Sequence, residues 1–226
     1  MYLERVCNLT KFYVCYSSDS FGRVCSSMNT QTLEQLTDNF TDHEQRLVLH
    51  GVSWQQYKTI EANLESVSAV RLSYFHGVLE FMTISEEHED MNSLIGTLIE
   101  LYLLNIGTRY YRRGGPTLKQ EPDVELIPDE TFHFGAKKTV PDLAIEVVIT
   151  SGSTAKLKGY KTLGVSEVWF WKKQKLSLYY LTEDGYQEIT QSRLLPELNL
   201  ELLIDCANIS DQFDAINEFR QAIAHK

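Results

Sequence analysis

The chain has 226 residues, 43% of them hydrophobic and 11% aromatic, and a formal net charge of −10 at pH 7. This length and apolar content suit one globular domain large enough for a full core. The negative charge argues against a protein that coats nucleic acid unspecifically, because duplex affinity is dominated by cations meeting phosphates.

Residues 1–27 do not resemble the rest: Cys, Ser and Tyr are frequent and no period is sustained. They are expected to form an N-terminal appendage to a main domain over 28–226, with Met28 an alternative start. The N-terminus lacks the basic-then-apolar pattern of a signal peptide and no stretch approaches a membrane span, so a cytoplasmic location is expected. Cys7, Cys15, Cys25 and Cys206 show no CxxC or His-containing metal spacing and read as reduced thiols.

Ser53 caps a predicted helix over 53–66. Two alternating runs, Val70 to Phe75 and Val78 to Ile84, are joined by His76-Gly77, which predicts a tight hairpin. Ser85 is a predicted N-cap for a long helix ending at Gly107, with an apolar stripe of Met91, Leu94, Ile95, Leu98 and Tyr102. Glu87 precedes Met91 by four residues and is expected on the buried edge of that stripe, unlike Glu86 and Glu89. The alternative for Glu87 is a first-turn carboxylate that complements the helix dipole. Tyr110 to Lys119 predicts a strand pair turning at Gly114-Gly115-Pro116.

Next come two stretches that each begin with Pro-Asp: Pro128 to His133 and Pro141 to Glu146. Both alternate polar and apolar residues, and the short Gly135-containing segment between them predicts a hairpin. Counting from the turn, Phe132 falls opposite Leu143 and Asp129 opposite Glu146, and opposed residues share a face about 5 Å apart. One face then holds Asp129, Thr131, His133, Asp142, Ala144 and Glu146. The other holds Phe132, Phe134, Leu143, Ile145, Val147 and Ile149.

Ser151-Gly152-Ser153-Thr154 opens a short predicted helix, Ala155 to Leu163, stopped by Gly164. Strand-like runs follow over Val165 to Trp171, Leu176 to Leu181 and Tyr186 to Thr190, and a last helix spans about 211–224. Trp169 and Trp171 alternate along a core strand and read as packing residues. Residues 151–176 carry six lysines against Glu167 alone. Lys172, Lys173 and Lys175 read as a solvated hairpin tip. Lys158, Lys161 and Arg112 are the candidates for a phosphate-facing surface, and the solvated-surface reading stands beside them. The whole order predicts a mixed α/β domain with a helix against one sheet face.

Hydrolysis of a phosphodiester needs a hard divalent cation, an activated water and neutralisation of developing charge. Mg²⁺ is usually held by one or two carboxylates, with water and substrate phosphate completing its octahedron. Asp129 and Glu146 are the candidate pair. Asp142 shares their face but lies roughly 13 Å from Glu146 along an extended strand, so it ranks below Asp129 as a ligand. His133 would face Asp142 in a structural pair. Lys156, in the first turn of the next helix and four residues before Tyr160, is the candidate cation for the attacking water or the phosphate.

The run Val140-Pro141-Asp142-Leu143-Ala144-Ile145-Glu146-Val147-Val148 resembles the hallmark strand of the Uma-two type of restriction endonuclease, a branch of the PD-(D/E)XK nuclease superfamily. The continuation Lys156-Leu157-Lys158-Gly159-Tyr160 to Trp171 is similar to the same branch. The resemblance spans roughly residues 50–205. It implies a restriction-endonuclease-like mixed β-sheet flanked by helices and a site dependent on Mg²⁺ or Mn²⁺. The strand acid would be Glu146, the preceding hairpin acid Asp129 and the helix acid Glu87, beside His88. The superfamily's Glu-x-Lys reads Glu146-Val147-Val148 here; the branch moves that lysine to the next helix, where Lys156 matches. The expected function is a metal-dependent DNA endonuclease, with a symmetric homodimer suited to cutting both strands. The alternatives are an inactive DNA-binding or assembly protein on the same fold, and a hydrolase of RNA or nucleotides.

Overall fold

The structure, a computed structural model, describes residues 11–14, 26–29, 45–64, 70–149 and 154–224. The chain divides into two compact units, residues 1–42 and 43–226. In the first, β1 (Lys11–Val14) pairs antiparallel with β2 (Ser26–Asn29). The expected 1–27 appendage lies mostly outside the described residues, as do Cys7, Cys15, Cys25 and the capping run 151–153.

The second unit begins with β3 (Arg46–His50) and α1 (Trp54–Leu64). Ser53 and Gln56 close the start of α1 reciprocally: the Gln56 N–H donates to Ser53 Oγ at 3.2 Å and the Ser53 N–H to Gln56 Oε1 at 2.8 Å. Strands β4 (Val70–Phe75) and β5 (Val78–Thr83) form the expected hairpin. Both turn residues, His76 and Gly77, have positive φ (47° and 81°), the geometry that matches strand twist. Helix α2 (Glu86–Asn105) is capped by the Ser85 side chain, which accepts from the His88 N–H.

Five strands follow: β6 (Tyr110–Gly114), β7 (Leu118–Gln120), β8 (Val124–Leu126), β9 (Glu130–Phe134) and β10 (Leu143–Val148). A 3₁₀ turn (Thr154–Lys156) leads into α3 (Leu157–Leu163), which ends at Gly164 in the left-handed region. Then come β11 (Glu167–Lys172), β12 (Lys175–Thr182), β13 (Gly185–Ile189), α4 (Leu200–Ala207) and α5 (Gln212–Ala224).

These strands make two sheets rather than the single expected one. The six-stranded sheet runs β13-β12-β11-β10-β9-β6 and the five-stranded sheet β3-β5-β4-β8-β7. The predicted Tyr110–Lys119 hairpin is corrected here: β6 pairs with β9 while β7 pairs with β8 in the other sheet. Gly114-Gly115-Pro116 is therefore a crossing between sheets. Strand β10 is central, antiparallel to β9 and parallel to β11, and α3 provides the crossover.

Layering decides where the site can sit. Helices α2, α4 and α5 cover one face of the six-stranded sheet, burying Leu98, Ile99, Leu103, Phe132, Leu143, Ile145, Val147, Trp169 and Phe219. On the opposite face, Ala144, Val148, Tyr160, Val168 and Phe170 pack with Phe75, Val124 and Leu126 of the five-stranded sheet. Helix α3 is thus held between two sheets. Gly159 lets it approach that closely: an added Cβ would sit 2.9 Å from Leu126 Cδ1 and 3.1 Å from Phe75 Cβ. Helix α1 covers the outer face through Tyr57 against Tyr74, Leu72 and Leu79. No helix of the described residues is long and apolar enough to cross a membrane.

Candidate active site

The β9/β10 register places Leu143 opposite Phe132, Ala144 opposite Thr131 and Ile145 opposite Glu130. One step further, the Asp129 N–H donates to Ile145 O at 3.1 Å and Asp129 Oδ2 accepts the Val147 N–H at 2.8 Å. Asp129 and Glu146 are therefore neighbours across the strand pair, 1% and 3% exposed. The acid-bearing face is not open, because α3 and the second sheet cover it.

Three carboxylates and three cations meet in this covered space. Lys156 Nζ lies 2.8 Å from Glu146 Oε2 and 3.2 Å from Glu80 Oε1. Glu80, on β5, is also paired with Arg46 of β3. The Tyr160 hydroxyl donates to Glu146 Oε1, one turn along α3 from Lys156. Arg71, on β4, reaches Asp129 Oδ1 at 2.5 Å and Glu89 at 3.0 Å. His88 Nε2 lies 3.2 Å from Asp129 Oδ2 and 3.1 Å from the Val147 carbonyl.

Electrostatics separate the two central acids. Burial pushes both carboxyls up. At Asp129 the His88 hydrogen bond and charge, the Lys156 charge and the Val147 N–H together outweigh burial, so its pKa is lowered. At Glu146 burial wins over the Lys156 charge, and the negative charge of Asp129 adds to it, so its pKa is raised. Burial disfavours the Lys156 ammonium, yet Glu146, Glu80 and Asp129 more than offset it and raise its pKa. Lys156 is thus held as a cation. Buried ion pairs of this kind recover little net stability, since desolvation costs several kcal/mol per ion. Their cost makes them candidates for chemistry rather than for stability.

A cavity of about 350 Å³ opens beside this network, lined by Arg71, Glu89, Asn92, Arg112, Asp129 and Glu130 among others. Asn92 is 6% exposed; its Nδ2 points at the Asp129 carbonyl, 3.5 Å away, and its Oδ1 has no hydrogen-bond partner.

Several expected positions are corrected. Glu87 is exposed, and the first-turn residue that faces the acids is His88. The expected stripe of α2 is buried at Leu94, Ile95, Leu98 and Tyr102, with Met91 partly buried, and the buried face extends to His88, Asn92 and Ile99 on the edge toward the acids. Asp142 sits at the mouth of the hairpin, where the Phe134 N–H (2.8 Å) and Lys138 (2.5 Å) take up its carboxylate. That is the end of β10 away from Glu146. Arg112 is tied by Glu130 at 2.9 and 2.6 Å and by Glu100 at 2.7 Å, rather than free for phosphate. Lys158 is exposed, and Lys161 donates to the Asp184 carbonyl at 3.3 Å. Sequence reasoning missed Glu80, Arg46, Arg71 and Asn92. Glu80 carried a signal: it is the one charge inside the apolar run Val78 to Ile84.

The donor set fits a hard divalent ion. Asp129 and Glu146 offer carboxylate oxygens close enough for each charge to feel the other, and Asn92 Oδ1 is an orphaned acceptor on the cavity that Asp129 also lines. Among the described residues no three His, Cys, Asp or Glu side chains are grouped to hold a metal.

A mixed sheet flanked by helices, with a second sheet behind it, is the α/β architecture of a restriction-endonuclease-like domain. Residues 54–210, more than half of the chain, match the Uma2 family, described as "Putative restriction endonuclease", and the chain belongs to that family, within the PD-(D/E)XK superfamily. No curated protein matches the chain.

Proposed function

We propose that the protein is a DNA endonuclease dependent on Mg²⁺ or Mn²⁺, with Asp129 and Glu146 as the metal-holding acids and Lys156 as the catalytic cation. The observation that carries this reading is the Lys156–Glu146 contact at 2.8 Å, which brings a cation to the strand acid from ten residues along the chain. A divalent ion at the two acids would acidify a water and act as a Lewis acid on the phosphoryl oxygen. The chain's own residues supply the rest. Asp129, its pKa lowered, stays ionised as a ligand. Lys156, its pKa raised, remains an ammonium and neutralises charge on the phosphate; it does not act as a base. Tyr160 and Glu80 hold Glu146 and Lys156 in place through their hydrogen bond and ion pair.

A second reading, a DNA-binding or assembly protein without turnover, draws on one fact. Every oxygen of Asp129 and Glu146 already has a protein partner. Nicking of supercoiled DNA in Mg²⁺, Mn²⁺ or EDTA separates the two, with RNA and nucleotides as parallel substrates. Cleavage is expected only with metal; Glu146→Ala should abolish it and Glu87→Ala should leave it unchanged. Equal cleavage by Glu146→Ala would refute the site.

A further inference from the structure

We propose that Arg71 is an internal cation that holds the metal's place on Asp129 and gives it up when the site loads, and that Asn92 Oδ1 then accepts from a water of the hydrated ion. This rests on the reading of Asp129 as a metal-holding carboxylate.

The two oxygens of Asp129 differ. Oδ2 is fixed by the Val147 N–H at 2.8 Å and by His88 at 3.2 Å. Oδ1 is held by Arg71 at 2.5 Å. The Arg71 side chain is 20% exposed and lines the cavity, and its other partner, Glu89, is 50% exposed. One of its two anchors is therefore solvated, and releasing it costs little. The other cations near the acids are not exchangeable in this way. Lys156 is 5% exposed, and Arg112 is forked on Glu130 and held by Glu100 as well.

Asn92 indicates what replaces the guanidinium. Its Nδ2 is committed towards the Asp129 carbonyl, which leaves Oδ1 as a buried acceptor without a donor in a cavity-lining position. Asp129 and Asn92 line the same cavity, and two acceptors there, Asp129 Oδ1 and Asn92 Oδ1, disfavour a bare phosphate and suit a hydrated cation, whose waters are donors. The displaced guanidinium remains in the cavity with its charge and five donors, placed to meet a phosphate oxygen.

The test is Mn²⁺ binding by the full chain without DNA, followed by loss of the free-ion EPR signal. Removing the competing cation in Arg71→Ala should tighten Mn²⁺ by about tenfold or more, with Arg71→Lys between it and wild type. Asn92→Leu should weaken Mn²⁺ several-fold. Arg71→Gln, which keeps a hydrogen-bonding side chain, serves if Arg71→Ala does not fold by circular dichroism. Unchanged or weaker Mn²⁺ binding in a folded Arg71 variant overturns the proposal. Failure of wild type to cleave DNA while Arg71→Ala still binds Mn²⁺ more tightly would sink the nuclease reading and leave the exchange standing.

Discussion

Lys156→Met removes the cation shared by Glu146 and Glu80 while keeping an unbranched chain of similar length. Lys156 is 5% exposed, with Nζ 2.8 Å from Glu146 and 3.2 Å from Glu80. In the variant Glu80 keeps Arg46, whereas Glu146 keeps the Tyr160 hydroxyl and faces the Asp129 charge. Stranding one partner of a buried pair costs about 3–5 kcal/mol. Protonation of Glu146 sets a ceiling on that loss. Neutralising an ordinary glutamate costs roughly 5 kcal/mol at pH 8 and roughly 2 kcal/mol at pH 6. Loss of Lys156 raises the folded-state pKa of Glu146 further above its unfolded value. A group raised in this way keeps its stability at low pH and loses it as pH rises, so the deficit should grow from pH 6 to pH 8. With a urea slope of about 2 kcal/mol per molar, the midpoint should fall by roughly 1.5–2.5 M at pH 8 and by about 1 M at pH 6. Fluorescence of the buried Trp169 and Trp171 reports the transition. Lys156→Met with Glu146→Gln should recover part of the loss and flatten its pH dependence. A deficit under about 0.5 M at pH 8, or one that does not shrink at pH 6, would refute the assignment of a buried, shared charge.

Gly159→Ala should destabilise by about 1–3 kcal/mol, because the new Cβ meets Leu126 and Phe75 across packed interiors. It should also lower metal-dependent cleavage by displacing the helix that carries Tyr160 and follows directly on Lys156, and a neutral result in both assays would mean that α3 is not clamped. His133 is 3% exposed, and burial, helped by the Arg113 charge, lowers its pKa. The folded state thus binds fewer protons than the unfolded one, and stability should rise with pH across the window below about 6.5. Urea midpoints from pH 5 to 7 should climb more steeply for wild type than for His133→Gln; parallel curves would contradict the buried-neutral assignment.

Local periodicity was a good guide where an element answers to its own residues. The His76-Gly77 hairpin, the Ser85-capped helix and the Gly164 stop all form as their turn and cap residues dictate. The Phe132–Leu143 register was legible too, because one apolar face fixes a two-residue period. Tyr110 to Lys119 shows where such reading ends. Two short strands around Gly114-Gly115-Pro116 look like a hairpin, yet each finds a better partner in a different sheet. The edge of α2 that turned out to be buried shows the same limit: Glu87 and His88 are adjacent, and only the packing of the helix on β10 chose between them.

By itself the sequence determined the acid pair, the lysine that follows it and the family, since these lie on one contiguous strand–helix stretch. Only the tertiary structure decided that the acid face is enclosed, that Lys156 and Arg46 share Glu80, and that Arg71 occupies Asp129. Those partners lie 34 to 76 residues from the groups they touch. Charges brought together over such separations leave no period or spacing in the chain. Their contacts exist only because two sheets close on one short helix.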